Sequence, residues 1–508
     1  MTSVPQSQIA LTTPAGTDNA TELDQPSIAP FARGPVLAIT AAVSVVLVVI
    51  SGRVGYFGDE LYFLVAGRNL DWSYADQGPI VPLLAHLMDT IFPGSMAGLR
   101  IPATLLCAAG IVAAAFVARE LGGDRKAQTL TAAAYALSAM AGSHTLNTGT
   151  VDMLMWTLVT LLLVRWVRLR EDWLLIALGV TTAVALQNKW LIVAFWAVTA
   201  VSVLAVGPRD LLRRPALWIG AAIAALTTLP ALIWQITHGW PQLSVADAIP
   251  KDGFMNYRLV FVPLAVTSAG ILFGVALVCF GLWRLLRSPH LQPYRFLAWT
   301  FLGLAALFLI FGGRSGYMAG MFTVCWAAGA VELQRRPPRR GFGWMFGTTS
   351  IVISALIALT WLPVLPSSWT TPATPNTLMM SGLPEVADVI ADAYHSLPPE
   401  ARENSAVVSE WYWDAALVNR YGPERGLPDA YSPHRGMWDF GPPSAETQNV
   451  LFIDSDPDYL RQYFANVQPL TSITSGGMAN LFSEPIPVWL CSGPLQPWSQ
   501  MWTEMRHF

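Results

Sequence analysis

YFGDELYFLVAGRNLDWSYADQGPIVP, residues 56–82, lies between two long apolar runs and carries an adjacent carboxylate pair, Asp59 and Glu60, a few residues beyond the first run. A charge left unpaired in hydrocarbon is costly, so acids at that position must be solvated, paired or at work. The stretch reads as the working end of a membrane enzyme, and the other segments are placed by reference to it.

Composition agrees. Of 508 residues, 53% are hydrophobic and 12% charged, against about 25% charged in a soluble domain. This is the make-up of an α-helical polytopic membrane protein. The net charge of -3 says little about partners, because in such chains the sidedness of Lys and Arg matters more than their sum. Nucleic acid is not suggested; the lipid bilayer is.

A crossing needs about 20 residues, and with the run at 35–50 the sequence offers about eleven: 97–118, 127–144, 151–168, 172–187, 190–206, 216–237, 257–283, 296–311, 317–333 and 343–364. Basic residues test that count, since they collect on the cytoplasmic side. Arg119, Arg125 and Lys126; Arg165, Arg168 and Arg170; Arg209, Arg213 and Arg214; Arg284, Arg287 and Arg295; and Arg335, Arg336, Arg339 and Arg340 fall in alternate loops. Those loops are expected in the cytoplasm. The opposite loops hold scattered cations, chiefly Arg53, Arg68, Lys189, Lys251 and Arg314, which puts Asp59 outside. The turn expected at Gln187–Asn188–Lys189 has short flanking runs.

Three regions follow: a disordered cytoplasmic tail at 1–34, a transmembrane region at 35–365 with its first exterior loop at 52–96, and a small extracytoplasmic α/β domain at 366–508. A Pro-, Ser- and Thr-rich passage introduces the last of these. Within it, 383–397 has helical periodicity, 406–410 and 449–454 read as strands, and 457–464 reads as a helix. Its six tryptophans (Trp411, Trp413, Trp438, Trp489, Trp498 and Trp502) suit sugar rings or a core, and the domain is expected to govern the acceptor. Only Cys491 lies outside the apolar runs, so no disulfide is expected within that domain.

The motifs of zinc hydrolases, nucleophile elbows and phosphate loops are absent from the sequence, which leaves carboxylates and cations at the outer ends of the spans to carry the chemistry. Adjacent side chains on a helix point about 100° apart, so one of Asp59 and Glu60 can face a cavity while the other braces the backbone. A carboxylate half withdrawn from water suits a general base for a hydroxyl proton; capping of a helix starting near Leu61 is the plainer alternative. Asp152, in NTGTVDMLMWTLVTLLL, stands at the mouth of an apolar run on the same side, as a site residue or as a helix cap. Arg68, Arg100 in LRIPATL, Lys189 in QNKWLI and Arg314 in FGGRSGYMAG suit a phosphate or pyrophosphate, or snorkel to the interface.

In GDELYFLVAGRNLDWSYADQGPIVPLL the acid pair directly follows the first span, and a tyrosine and an acid precede a proline. This segment resembles the first exterior loop of the family 39 glycosyltransferases, relatives of the protein O-mannosyltransferases and of the lipid A aminoarabinose transferase. TVDMLMWTL, LRIPATLL and GRSGYMAGMFTVCWAAGA resemble that group's acidic motif, second span and late basic–tyrosine segment. GLPDAYSPHRGMWDFGPP resembles the tail of actinobacterial members. The resemblance implies a GT-C fold and a polyprenyl-phosphate sugar as donor. It further implies inverting transfer to an acceptor glycan, lipid or protein at the outer face of the plasma membrane. Asp59 matches the acid taken as general base, Glu60 its neighbour and Asp152 the second acidic position. Arg68, Gln77, Arg100, Lys189, Arg314 and Tyr317 are then the substrate-binding candidates. No Asp-x-Asp pattern marks the outer loops, so no metal ligands are assigned and a divalent ion is not required. The sequence departs from the family pattern at Gln77–Gly78–Pro79, where relatives carry Pro-Pro, at Gly316–Tyr317 for Tyr-Tyr, and at Phe322–Thr323 for Tyr-Pro. A multi-span transporter would place polar groups at mid-membrane in two matching halves, and a non-catalytic cell-envelope assembly protein would not need Asp59.

Overall fold

A computed structural model describes residues 28–140, 142–248, 257–336, 341–364, 379–480 and 484–508. The tail expected at 1–34 lies outside the described residues up to 27, and Arg33 and Gly34 already belong to the first helix. Lys251, Arg339, Arg340 and most of the Pro/Ser/Thr passage also lie outside them.

Every expected apolar run is helical. In chain order the helices are α1 (Arg33–Ile50), α2 (Gly58–Arg68), α3 (Ile80–Ile91), the single turn α4 (Met96–Leu99), α5 (Ile101–Glu120), α6 (Arg125–Met140), α7 (Thr148–Leu169) and α8 (Trp173–Leu186). There follow α9 (Leu191–Val206), α10 (Pro215–Thr237), α11 (Pro241–Ala248), α12 (Tyr257–Ser268), α13 (Ile271–Arg287), α14 (Arg295–Phe311), α15 (Phe322–Arg335) and α16 (Thr348–Trp361). Among the described residues, five helices are long and apolar enough to cross a bilayer, six if one bent pair counts as a crossing. The expected figure of about eleven therefore describes apolar helical stretches, several of which, such as α8 and α16 with 14 residues each, are shorter than a full crossing.

The run expected at 257–283 is not one straight span. It breaks into α12 and α13 with a bend of 98°. Gly270 takes φ +87°, where a side chain would be strained, and the Trp326 indole donates to the Ala269 carbonyl left over at the break (3.1 Å).

The alternation of basic loops is visible as two chemically distinct ends. At one, Arg168 pairs with Glu120, Arg170 with Asp210, Arg214 with Asp172 and Arg284 with the buried Glu332. At the other stand Asp59, Asp152, Lys189 and Arg314. The turn expected at Gln187–Asn188–Lys189 is formed: α8 ends at Leu186 and α9 starts at Leu191.

The C-terminal part carries a five-stranded sheet of order β2-β1-β3-β5-β4. Its strands are β1 (Ser405–Ser409), β2 (Ala430–Tyr431), β3 (Asn449–Ile453), β4 (Phe464–Ile473) and β5 (Ile486–Pro494). β1 runs parallel to β2 and β3, whereas β5 is antiparallel to β3 and β4. Helices α17 (Leu383–His395), α18 (Tyr412–Tyr421) and α19 (Trp498–Met505) flank it. The helix expected over 457–464 is only one turn, Pro457–Leu460. Asp456 caps that turn, and the chain then enters the long strand β4, which the sequence reading did not identify. Trp498 and Trp502 fill the core, and Trp438 and Trp502 exchange indole-to-carbonyl hydrogen bonds (2.6 and 3.1 Å).

Candidate active site

The start of α2 divides the acid pair between two tasks. Glu60 Oε2 accepts from the Phe57 amide (2.9 Å), closing the first turn. Its two oxygens also take the Arg100 guanidinium, Nη2 to Oε2 at 2.7 Å and Nε to Oε1 at 3.0 Å, and Oε1 accepts from the Leu146 amide (3.0 Å). Arg100 spends its remaining donors on the Ser51 and Gly55 carbonyls (2.6 and 2.8 Å). With Glu60 0% and Arg100 2% exposed, this is a buried brace that ties α2 to the starts of α5 and α7. Arg100 is thereby removed from the cations open to a phosphate.

Asp59, one residue earlier on the helix, faces a cavity of about 360 Å³ lined also by Asp152, Lys189, Arg314 and Tyr317. Five of the nine site residues expected from sequence therefore share one space. Lys189 Nζ lies 5.4 Å from the centre of the Tyr317 ring, and the Arg314 guanidinium 4.7 Å from that of Tyr257. Both cations line the cavity together with the carboxylates. Asp152, in the second turn of α7, accepts from Asn188 Nδ2 (2.7 Å), which also donates to the Thr148 carbonyl (2.9 Å). The turn carrying Asn188 is in turn joined to the first loop, Gly78 N donating to the Asn188 carbonyl (2.8 Å) and Ile80 N to that of Gln187 (3.2 Å). A Cβ on Gly78 would fall 2.1 Å from the Gln187 carbonyl oxygen, a steric reason for Gln77–Gly78–Pro79 in place of Pro-Pro.

The remaining candidates stand elsewhere. Arg68 is exposed at the far end of α2. Gln77 is buried, and its carbonyl accepts from Tyr74 N (3.0 Å) without lining the cavity. Among the described residues no three His, Cys, Asp or Glu side chains converge in a metal-binding group.

Three residues of the site, Tyr412, Asp76 and Arg435, were not singled out from sequence, and a fourth, Trp413, was named only among the tryptophans suited to a sugar ring or a core. Asp59 Oδ1 accepts from Tyr412 Oη (2.7 Å) and from Trp413 Nε1 (2.9 Å), the first two residues of α18. The C-terminal part therefore holds the acid itself, beyond the acceptor role expected of it. No described residue hydrogen-bonds Oδ2. Burial of Asp76 raises its carboxyl above the usual range while Lys189 and Arg435 pull it back; the Tyr62 hydroxyl donates to it (3.4 Å). Arg435 is stacked over the Tyr412 ring at 5.3 Å. Asp76 had a local signal, an acid beside a tyrosine in the decisive loop. Nothing in the sequence linked Tyr412 or Trp413 to Asp59, which lies more than 350 positions away.

The fold is a helical bundle with Asp59, Asp152, Lys189 and Arg314 gathered at one end and a small mixed sheet whose helix α18 reaches Asp59. Comparison with solved structures shows it to be a GT-C fold. The chain matches ArnT from Cupriavidus metallidurans in the apo state with a TM-score of 0.59 at 14% identity, covering 90% of this chain and 98% of that one. It matches the same protein bound to undecaprenyl phosphate with a TM-score of 0.53 at 15% identity, covering 89% and 97%. Residues 76–234 match the family model of dolichyl-phosphate-mannose-protein mannosyltransferase, a segment that includes Asp152 and Lys189 but neither Asp59 nor Arg314. The search of curated proteins returns no match.

Proposed function

We propose that this protein is a membrane glycosyltransferase that moves a sugar from a polyprenyl-phosphate donor to an acceptor hydroxyl at the outer face of the membrane. The observation that carries the reading is the one cavity that Asp59, Lys189 and Arg314 line together. Asp59 Oδ2 takes the hydroxyl proton. The oxygen attacks the anomeric carbon from the side opposite the phosphate, the bond from that carbon to the phosphate oxygen breaks, and the configuration inverts. The leaving group is already a phosphate and needs cations more than a protonating acid, which suits Lys189 and Arg314. Asp152, held by Asn188, orients the acceptor. The complex of Cupriavidus ArnT with undecaprenyl phosphate supports the donor class.

The test is incubation of the purified protein with a panel of polyprenyl-phosphate sugars. Consumption of one donor with release of polyprenyl phosphate is expected; indifference to the whole panel would refute the reading.

Two further expectations follow from the geometry. Removing either hydrogen bond to Asp59 Oδ1, by Tyr412→Phe or Trp413→Phe, should lower kcat roughly tenfold with the donor KM unchanged, since hydrogen bonds to charged groups contribute about 1.5–3 kcal/mol. An unchanged kcat in both would reduce the pair to packing. Sidedness is read by single cysteines in a background without the native four. A cysteine replacing Trp72, which is 63% exposed, should react with an impermeant thiol reagent applied to whole cells, and one replacing Lys126 should not. The reverse pattern would place the site in the cytoplasm.

A further inference from the structure

The chain leaves β1 through α18 to reach β2 on one side, then returns to β3 on the other side of β1. In open α/β sheets, ligands bind beyond the carboxyl ends of the strands at such a reversal. At that place there is a second cavity, of about 550 Å³, within the range of small-molecule sites. Glu410 and Trp411, just past β1, line it together with His434 and Arg435, just past β2, and with His507; Asp247 of α11 is also part of its wall.

The lining is chemically specific. His434 is 3% exposed, and its Nδ1 has no hydrogen-bond partner among the described residues. Its ring stacks on His507 (4.7 Å between centroids, 5° between planes) and meets Trp411 edge to face at 5.0 Å. Burial, with Arg435 and His507 adding to it, holds its pKa well below the usual value. The imidazole is therefore neutral, with one donor and one acceptor. Glu410 stands 3.5 Å from His507. Acids and bases are balanced around the cavity, so a phosphate would find no surplus of cations, and a lipid tail would find no continuous apolar wall. A neutral imidazole beside carboxylates matches hydroxyl groups, which both donate and accept, and an indole suits the C–H face of a sugar ring. Arg435 joins the two sites: it lines this cavity and lies over Tyr412, whose hydroxyl holds Asp59.

We propose that this cavity binds a neutral oligosaccharide, the acceptor of the transfer, with Trp411 against a sugar ring and His434 and Glu410 on its hydroxyls. Only the role as acceptor rests on the glycosyltransferase reading; saccharide binding does not. Full-length protein carrying Asp59→Asn, so that nothing is turned over, is titrated with short oligosaccharides of mannose, galactose or arabinose and followed by saturation-transfer NMR. At least one should bind, and its affinity should fall about tenfold in Trp411→Ala, which removes the aromatic face the sugar ring packs on. The same loss is expected in His434→Phe, which keeps the stacked ring without its nitrogens and should leave the unfolding midpoint unchanged. Failure of every oligosaccharide to bind, or binding that both substitutions leave intact, overturns the proposal. So does capture of a Ser/Thr-rich peptide that the same substitutions abolish, which would make this a peptide site. Saccharide binding by a protein that consumes no polyprenyl-linked donor would overturn the glycosyltransferase reading and leave the cavity's assignment standing.

Discussion

Asp59→Asn is expected to lower transfer by about 10²–10⁴-fold, the range for loss of a general acid or base, with donor binding near the wild-type level. The substitution is close to isosteric. Its amide oxygen can still accept from Tyr412 and Trp413, so the geometry at the start of α2 survives while the proton acceptor is lost. Lys189 and Arg314, the groups assigned to the donor phosphate, lie on other elements and do not hydrogen-bond Asp59. Donor consumption by purified wild-type and variant protein, with donor binding measured separately, checks this. If the variant keeps more than about a tenth of wild-type turnover, Asp59 is not the base. A parallel loss of donor binding would instead place Asp59 on the donor.

Arg100→Ala should have the largest effect on stability. It leaves Glu60, 0% exposed, as a buried carboxylate with only the Phe57 and Leu146 amides for company, and removing one partner of a buried pair costs about 3–5 kcal/mol. Because the pair holds α2 against the starts of α5 and α7, activity should fall with it, through misplacement of Asp59. Replacing the pair with apolar residues of similar volume, Glu60→Leu with Arg100→Met, should recover much of the stability and little of the activity, since the first turn of α2 still lacks its closing carboxylate. Unfolding midpoints in denaturant measure the first effect and turnover the second. An Arg100→Ala protein as stable as the wild type would show that the brace is not needed.

These two predictions concern neighbours in sequence with opposite duties, and the sequence had already determined that the duties differ. Adjacent positions on a helix cannot face the same way, so one acid had to point inward. Which one did so depended on Arg100, 40 residues later. The apolar runs, the alternation of basic loops and the turn at Asn188 were likewise legible, because each follows from local hydrophobicity and from charge counted along the chain. Asp59, Asp152, Lys189 and Arg314 could each be named as polar groups at span ends for the same reason. Their convergence on one cavity, the bend at Gly270, the strand β4, the placing of Tyr412 and Trp413 on Asp59 and the diversion of Arg100 into a brace were decided only by the tertiary structure. Each depends on a contact between segments tens to hundreds of residues apart, and such a contact is set by packing and hydrogen-bond satisfaction across the whole fold, which leaves no periodicity or spacing in the chain to read.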